Sequence, residues 1–463
     1  MSDDARRIRL AEDMLRQFAA SIRAVQIYSH DHPLVMKAVG QLAETLERSH
    51  VEAPDVVVGI VDQQIVVDGF PLIAVHGTGD IIDRLRSLDI ERIALDRGVG
   101  TEELLSFVQG LAAARGSHDA DVDARVTSLG SEHIHVGRLA IQRRADSGRC
   151  DIRAIQEQYR SAVAGVEALW EQARADGTPD PALAIELVEG LASALGQNQR
   201  AMLALTALHR YDNYTFTHLV NVSVLSMAQA RCLGIDGTLL RQFGLAGLMH
   251  DIGKIRVPPE ILKKSERLTE TEFEVMSRHP VDGAEIIRRR LELPPLAAIV
   301  AFEHHLRVDR TGYPAGVARS SLNLATQVCS IADVYDAMRS KRAYQQAFPT
   351  ERILAVLHQN DRQRFDQRLV RRFSQLMGIY PVGNLVRLDN GVLAVVVRTH
   401  APDPSRPAVR VITGLDGKTP ATPYDVALWA DDGPDGPPPR ITTPVDPEEA
   451  HIDPLAYLDS PSV

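Results

Sequence analysis

The middle of the chain is rich in side chains that bind metal ions. They are His218, His250, Asp251, His279, His304, His305, Asp333 and Asp336. Imidazole nitrogens and carboxylate oxygens are the ligands through which proteins bind Fe, Mn, Zn and Ni. A single histidine in a helix is more often an ordinary hydrogen-bonded side chain than a ligand. The prediction of a metal site therefore depends on how these residues are paired along the chain.

The first pair, His250 and Asp251, ends an apolar stretch that is typical of a buried helix, residues 239–249. Gly253 follows directly, and it can cap the helix and let the chain turn. Neighbouring residues on a helix point about 100° apart. The two side chains can therefore reach two different metal ions.

The second and third pairs also follow or occupy predicted helices. His304 and His305 end the apolar stretch 296–302, where two imidazoles would be costly without a partner such as a metal ion. Asp333 and Asp336 are three residues apart in a segment with helical periodicity, so they share a face. They would repel each other unless a cation lies between them. The alternative is that both carboxylates are solvated.

Two further residues extend the set. A capping box of Thr269 and Glu272 predicts the start of a helix that Pro280 ends, which places His279 at the helix terminus. Lys254 follows the His-Asp pair closely and can present an ammonium group to a phosphate or protonate a leaving oxygen. The alternatives are a plain helix terminus and a solvated lysine.

Together, these motifs resemble the HD-GYP family of cyclic di-GMP phosphodiesterases in order and spacing. The resemblance rests on residues 212–218 (DNYTFTH), His250 to Lys254 (HDIGK), His279-Pro280, Glu303-His304-His305, Gly312-Tyr313-Pro314, Asp333 to Ala337 (DVYDA) and Arg342 to Tyr344. A lone His-Asp pair is a weak signal, but this ensemble is specific. The resemblance implies hydrolysis of cyclic di-GMP by a metal-dependent phosphodiesterase.

The resemblance also implies roles for individual residues. The metal ligands would be His218, His250, Asp251, His279, His304, His305 and Asp333, of which His250 and Asp251 would act in catalysis together with Lys254. Contacts to the substrate, or support of the ligands, would come from Lys254, Gly312, Tyr313, Pro314, Asp336 and Arg342. Some members hold a third metal through a glutamate four positions before the first histidine, where this chain has Tyr214. We therefore expect two divalent ions, Fe or Mn.

The chain departs from the family pattern at three positions. Leu306 replaces a glutamate, Arg310 replaces a glycine and Gln345 replaces a basic residue. These departures favour an alternative, a catalytically weak protein that senses cyclic di-GMP or acts as a scaffold. A further alternative is a phosphohydrolase of the broader HD superfamily that acts on another nucleotide, although the Gly312-Tyr313-Pro314 loop argues against it.

The elements that must position these residues form a multidomain chain. An all-α helical bundle of the HD type is predicted over residues 201–376, because nearly every segment there has helical periodicity. We expect a mixed α/β domain over 1–146, a helical connector over 147–200, and a small β-rich module with a flexible tail over 377–463. The connector is predicted as two helices that break at 177–181.

Within the first domain, helical spacing of Leu10, Met14, Phe18, Ile22 and Val25 predicts an amphipathic helix. We expect further helices after Pro33, over 80–88 and from Thr101, and strands over 56–61, 65–67, 92–95 and 133–141. In the last module, strands are predicted over 392–397 and 409–412.

Composition narrows the classes of function. The chain has 463 residues, a formal net charge of -10 and 44% hydrophobic residues, typical of a globular protein without a broad basic surface for DNA or RNA. Its three cysteines predict neither a disulfide framework nor a thiolate cluster. Apolar runs are too short to span a membrane. We expect a cytoplasmic protein whose first domain is regulatory and binds signalling partners, and the sequence leaves its oligomeric state open.

Overall fold

The computed structural model describes most of the chain in two compact units. The described residues are 3–29, 32–50, 55–61, 64–67, 70–72, 84–85, 88, 90, 92–113, 131–137, 152–207, 214–264, 266–309, 311–315, 322–340, 348–359, 364–400, 403–414, 423–430 and 438–458. One unit comprises residues 1–142 with 231–239, and the other comprises 143–230 with 240–463.

The first unit packs helices on an antiparallel sheet. Its helices are α1 (Asp3–Ile27), α2 (Pro33–Ser49) and α3 (Thr101–Ala113). Its strands are β1 (Asp55–Val61), β2 (Gln64–Val67), β3 (Phe70–Leu72), β4 (Arg92–Asp96) and β5 (Ile134–Gly137), in the spatial order β3-β2-β1-β4-β5. The apolar stripe of α1 is buried, with Met14 and Phe18 almost fully inaccessible, because helical spacing puts these side chains on one face.

These elements confirm the predicted mixed α/β composition of the first unit. The α1 and α2 helices, the β1-β2 hairpin, β4, β5 and α3 all lie where the sequence predicts them. The predicted helix over 80–88 and the end of the strand over 133–141 fall largely outside the described residues.

The second unit holds most of the helices. They are α4 (Ile152–Asp176), α5 (Pro181–Gln197), α6 (Gln199–Ala207), α7 (Tyr214–Cys232), α8 (Gly237–Met249), a 3-10 helix (Ile252–Arg256), α9 (Pro259–Leu262), α10 (Glu270–Met276), α11 (His279–Arg288), α12 (Pro295–Glu303), α13 (Leu324–Arg339), α14 (Thr350–His358) and α15 (Gln367–Met377). Most residues of α7 and α8 are buried on every side of the helix, as expected for helices at the centre of a bundle. The helical core predicted from periodicity is confirmed.

The C-terminal module is a five-stranded antiparallel sheet. Its strands are β6 (Leu385–Leu388), β7 (Leu393–Arg398), β8 (Ala408–Val411), β9 (Tyr424–Ala427) and β10 (Ile441–Val445), in the order β10-β6-β7-β8-β9. Both faces carry buried apolar side chains, Val386 and Val396 on one and Leu385 and Val395 on the other. The predicted β-rich module is therefore confirmed.

The prediction of a flexible tail at the end of the last module was wrong for residues 438–458. Strand β10 pairs with β6, and a short 3-10 helix, Pro454–Tyr457, follows it. Arg410 of β8 donates to the carbonyl of Tyr457 and pairs with Asp425. Backbone pairing and this buried arginine fix a segment whose Pro-rich composition is typical of disorder.

No helix in the described part of the chain combines the length and the apolar character needed to cross a membrane.

Candidate metal centre

The candidate ligands lie at or near the ends of helices in the second unit. His218 is near the start of α7, His250 and Asp251 directly follow α8, and His279 is the first residue of α11. His304 and His305 directly follow α12, and Asp333 lies in the middle of α13. Five segments that are far apart in the sequence thus deliver side chains to one place.

The ligands form two groups that share one carboxylate. The nitrogens and oxygens of Asp251, His279, His304 and His305 lie within 4.8 Å of one another, and so do those of His218, His250 and Asp251. Asp333 extends the second group, because its Oδ1 is 3.2 Å from His218 Nε2 and 3.9 Å from His250 Nε2.

Asp251 presents a different oxygen to each group. Its Oδ1 is 3.2 Å from His279 Nε2 and 3.6 Å from His304 Nε2. Its Oδ2 is 3.4 Å from His250 Nε2. A carboxylate placed in this way can bridge two cations, as the sequence predicts for this pair of residues.

Local backbone bonds orient three of the imidazoles. In His250, His279 and His304, Nδ1 donates to the carbonyl three residues earlier, at 2.7, 2.8 and 2.9 Å. Because a carbonyl only accepts, Nδ1 carries a proton in each ring, and in the neutral imidazole Nε2 then carries the lone pair that is directed into the site. Hydrogen bonds of this kind, from the ring nitrogen that does not bind the metal, fix the tautomer of metal-binding histidines.

The resulting arrangement fits a cation. His279 Nε2 and His304 Nε2 are 3.2 Å apart, so in the neutral rings with Nδ1 protonated two lone pairs face each other. His250 Nε2 and Asp251 Oδ1 are both buried without a hydrogen bond. Buried lone pairs that face one another are costly unless a positive charge satisfies them. These donors therefore suit a metal ion that takes nitrogen and oxygen ligands.

Burial and neighbouring charges set the protonation states of the donors. Burial lowers the pKa of His304 to about 4, and burial together with the adjacent His304 lowers that of His305. Although burial alone would raise the pKa of Asp251, the neighbouring Lys254 ammonium holds it well below its usual range. His304 and His305 are therefore neutral imidazoles and Asp251 is an ionised carboxylate, which are the forms that bind metals.

His218 lies between two carboxylates. Burial disfavours its charge, but hydrogen bonds to Asp333 and Asp336 raise its pKa to about 9. Its Nδ1 is 2.7 Å from Asp336 Oδ2, and its Nε2 faces Asp333. His218 therefore lies between the two aspartates, where a cation was expected from the sequence, and its raised pKa favours the imidazolium there. A metal ion at Nε2 must displace a proton.

Asp336 supports a ligand and does not lie where it could contact a substrate. Its carboxylate is 1% exposed. One of its oxygens accepts from His218 Nδ1 and the other accepts from Asn221 Nδ2, both at 2.7 Å. Of the two roles expected for Asp336, support of a ligand fits this position and contact with the substrate does not. Asn221 was not among the residues predicted from the sequence, although a polar residue three positions after His218 in an apolar helix was an available signal.

Two expectations about helix ends were also wrong. Gly253 does not cap α8 but permits close packing, because a Cβ there would lie 1.9 Å from the carbonyl oxygen of His279 and 2.5 Å from the nitrogen of Gly283. Pro280 does not end a helix but occupies the first turn of α11, after α10 has ended at Met276. The capping box of Thr269 and Glu272 at α10 is confirmed.

Lys254 points at the shared carboxylate. Its Nζ lies 2.5 Å from Asp251 Oδ2, and 27% of its side chain is exposed. It thus occupies a position between the metal ligands and solvent. Arg310, Arg342 and Gln345 lie outside the described residues, as does the side chain of Tyr214.

The Gly312-Tyr313-Pro314 loop covers one side of the site. Gly312 has a φ of 98° and pairs with Leu306, and a Cβ at Gly312 would lie 2.2 Å from the carbonyl oxygen of His305. The Tyr313 ring lies 4.5 Å from that of His305, between centroids, and burial raises the pKa of its phenol. Leu306 is buried. Tyr313 is therefore a protonated hydroxyl group beside the candidate ligands.

One aromatic residue near the site was missed in the sequence. Phe273 of α10 is 50% exposed, and its ring is 5.8 Å from that of Tyr313 in an edge-on arrangement. Sequence reasoning treats a phenylalanine in an amphipathic helix as a core residue. Only its exposure and its contact with Tyr313 indicate a place at the mouth of the site.

Comparison with known proteins places the site within a recognised domain. A family model described as HD domain matches residues 189–369. The cyclic di-GMP phosphodiesterase PA4108 of Pseudomonas aeruginosa is 37% identical over 275 residues, which are 58% of this chain and 66% of that protein. The cyclic di-GMP phosphodiesterase response regulator RpfG of Xanthomonas campestris is 28% identical over 66% of this chain and 82% of that protein.

A third relative has a different printed substrate. The 3'3'-cGAMP-specific phosphodiesterase 1 of Vibrio cholerae is 31% identical over 34% of this chain and 36% of that protein. The chain therefore spans much less of this relative than of the other two.

Proposed function

Residues 189–369 form an HD domain of the HD-GYP phosphodiesterase type, and on that premise we propose that this chain hydrolyses cyclic di-GMP at a centre of two divalent metal ions. The observation that carries the proposal is the shared carboxylate of Asp251, which faces three histidines on one side and two on the other. The names of the Pseudomonas aeruginosa and Xanthomonas campestris relatives support the substrate.

The two groups assign a ligand set to each ion. Asp251, His279, His304 and His305 would hold one ion, and His218, His250, Asp251 and Asp333 would hold the other. Nitrogen and oxygen donors without thiolates are consistent with Fe or Mn. When bound, two such ions supply Lewis acidity to the phosphodiester and to water.

The chain's own residues would bind and orient the substrate. The Lys254 ammonium, exposed beside Asp251, can neutralise a phosphoryl oxygen or donate a proton to the leaving oxygen. The Tyr313 phenol stays protonated and can donate a hydrogen bond. Tyr313 and the half-exposed Phe273 offer aromatic surfaces on which a purine base can stack. Arg342 remains a predicted phosphate contact.

The sensor alternative is not favoured. Leu306, one of the three departures that suggested it, is buried and pairs with Gly312, so this substitution is accommodated by packing. The cytoplasmic location and the signalling partners of the first unit stay predictions.

To test the proposal, metal ions are first removed from the protein with a chelator. The metal-free protein is then reconstituted anaerobically with Mn or Fe, and the loss of cyclic di-GMP is followed. We expect turnover by the wild type and none by His250→Ala or Asp251→Ala. His135→Ala is a matched control, because His135 is an exposed histidine of the first unit. Equal rates in all four proteins would refute the site. Running 3'3'-cGAMP in parallel separates the two substrates, and product analysis distinguishes the linear dinucleotide from GMP.

A further inference from the structure

A chain of buried hydrogen bonds connects α4 to the metal centre. The hydroxyl of Tyr159, on α4, donates to Asn221 Oδ1, on α7, at 2.5 Å. Asn221 Nδ2 donates to Asp336 Oδ1, on α13, at 2.7 Å. Asp336 Oδ2 accepts from His218 Nδ1 at 2.7 Å. Three consecutive bonds thus join the phenol of Tyr159 to a candidate ligand.

The side chains that form this series of hydrogen bonds are buried. Tyr159 is 0% exposed, Asn221 is 2% and Asp336 is 1%. In such surroundings hydrogen bonds strengthen one another, and an unsatisfied group is costly.

The direction of each bond is fixed by chemistry. The Asp336 carboxylate only accepts, so the amide of Asn221 must turn its NH₂ group toward it. The amide oxygen then faces Tyr159, and the phenol is the donor that satisfies it. The other carboxylate oxygen of Asp336 accepts from Nδ1–H of His218. His218 Nε2 then faces Asp333 and the candidate ion.

We propose that Tyr159 is a positioning residue for the metal centre, one that holds His218 in its metal-binding orientation through Asn221 and Asp336. The inference rests on the proposed two-metal function. Tyr159 lies before residues 189–369, the span of the HD domain match, and in the helix that follows the first unit along the chain.

The two groups of candidate metal ligands differ in how far they depend on this series of hydrogen bonds. Nδ1 of His279 and His304 is held by carbonyl oxygens of their own segments. His218 is instead held by Asp336, and so by residues of α7 and α4. A second contact, an edge-on pair of Trp170 and Phe216 with centroids 6.1 Å apart, also packs α4 against the start of α7. A displacement of α4 would therefore change the orientation of His218 and weaken the binding of the ion that His218 would hold.

The test measures Mn²⁺ affinity, not turnover. The chelated wild type and Tyr159→Phe are titrated with Mn²⁺, and the binding of each ion is resolved by calorimetry. Loss of the side chain that hydrogen-bonds directly to a metal-binding histidine weakens metal binding about 10- to 100-fold. Because Tyr159 is two bonds further from the ion than Asp336, we expect about 3- to 10-fold weaker binding of one ion and unchanged binding of the other.

Two further variants separate positioning from general destabilisation. Tyr335→Phe removes another buried phenol hydroxyl, one that accepts from Arg339, and should leave both affinities unchanged. Adding Tyr159→Phe to Asp336→Ala should cause no further loss of affinity, because the connection is already cut.

The outcomes are distinct. Selective weakening of one ion by Tyr159→Phe, absent in Tyr335→Phe and absent on top of Asp336→Ala, supports the inference. Unchanged affinities, equal weakening of both ions, the same effect from Tyr335→Phe or additive losses in the double variant would overturn it. A wild type that binds two ions keeps the proposed function in either case, whereas a wild type that binds none overturns both.

Discussion

Asp251 belongs to both groups of candidate metal ligands. Its two oxygens face His279 and His304 on one side and His250 on the other. If two ions bind as proposed, removal of this side chain would affect both of them, whereas removal of His218 would affect only the ion of the second group.

We expect Asp251→Ala to bind no metal after chelation and Mn²⁺ reconstitution, and His218→Ala to retain a single ion. Elemental analysis of the purified variants measures the content directly. Asp282→Ala is the control, because Asp282 is a carboxylate of α11 that pairs with Arg256 and not with the candidate ligands. An Asp251→Ala chain that kept both ions would contradict the shared carboxylate.

The buried His304 makes the free energy of unfolding of the metal-free protein depend on pH. Its pKa is lowered from 6.5 to about 4 by burial, so between these values the unfolded chain binds a proton that the folded chain does not. Stability is then present above pH 6.5 and is lost as the pH falls toward 4. For a difference of this size the loss is about 3 kcal/mol.

Urea unfolding of the chelated wild type and of His304→Gln at pH 6.5 and 4 tests this expectation. Other groups titrate in both proteins, so the comparison isolates His304. The wild type should lose more stability than the variant over this interval. Equal losses would show that His304 is protonated in the folded chain.

At the scale of elements, the site depends on the close approach of the 3-10 helix and α11. The nitrogen and Cα of Gly253 lie 3.2 and 3.5 Å from where a Cβ of Gly283 would be. This approach brings Asp251, just before the 3-10 helix, against His279, the first residue of α11.

Gly253→Ala should therefore loosen the metal centre. The added Cβ would meet backbone atoms of His279 and Gly283, which cannot move independently of their helix. We expect a loss of about 1–3 kcal/mol in stability and weaker Mn²⁺ binding, measured by thermal unfolding and calorimetry.

Gly190→Ala serves as the comparison for this variant. Gly190 lies inside α5, and a Cβ there meets nothing within 4 Å. Helix propensity then predicts a gain of about 0.5–1 kcal/mol and unchanged metal binding. Equal effects of the two substitutions would show that contact at Gly253 is not the cause.

Periodicity and capping signals predicted many of the helices and strands, but not β3, β6, β9 or β10. They could not predict contacts between distant segments. The capping box at Thr269 and the apolar run before His250 are local, and both were found in the sequence. His218 and Asp336 are separated by 118 positions, and nothing in either segment indicates that one hydrogen-bonds the other. The resemblance supplied the ligand set, whereas Asn221, Phe273 and Tyr159 required the structure.

At the scale of the whole molecule, the chain is two units of different composition. The first combines three helices with a five-stranded sheet in the part of the chain that the structure describes, and the second contains the candidate metal centre and the C-terminal sheet. Composition suggested a loose tail, yet β10 pairs with β6. Edge-strand pairing of this kind depends on a partner elsewhere in the chain, so local composition could not predict it.

In the proposed centre seven side chains hold two ions joined by Asp251, and anomalous diffraction from crystals grown with Mn²⁺ tests this arrangement directly. We predict two peaks about 3.5 to 4 Å apart, with the Asp251 carboxylate between them, one against His279, His304 and His305 and the other against His218, His250 and Asp333. A single peak, or manganese bound away from Asp251, would contradict the account.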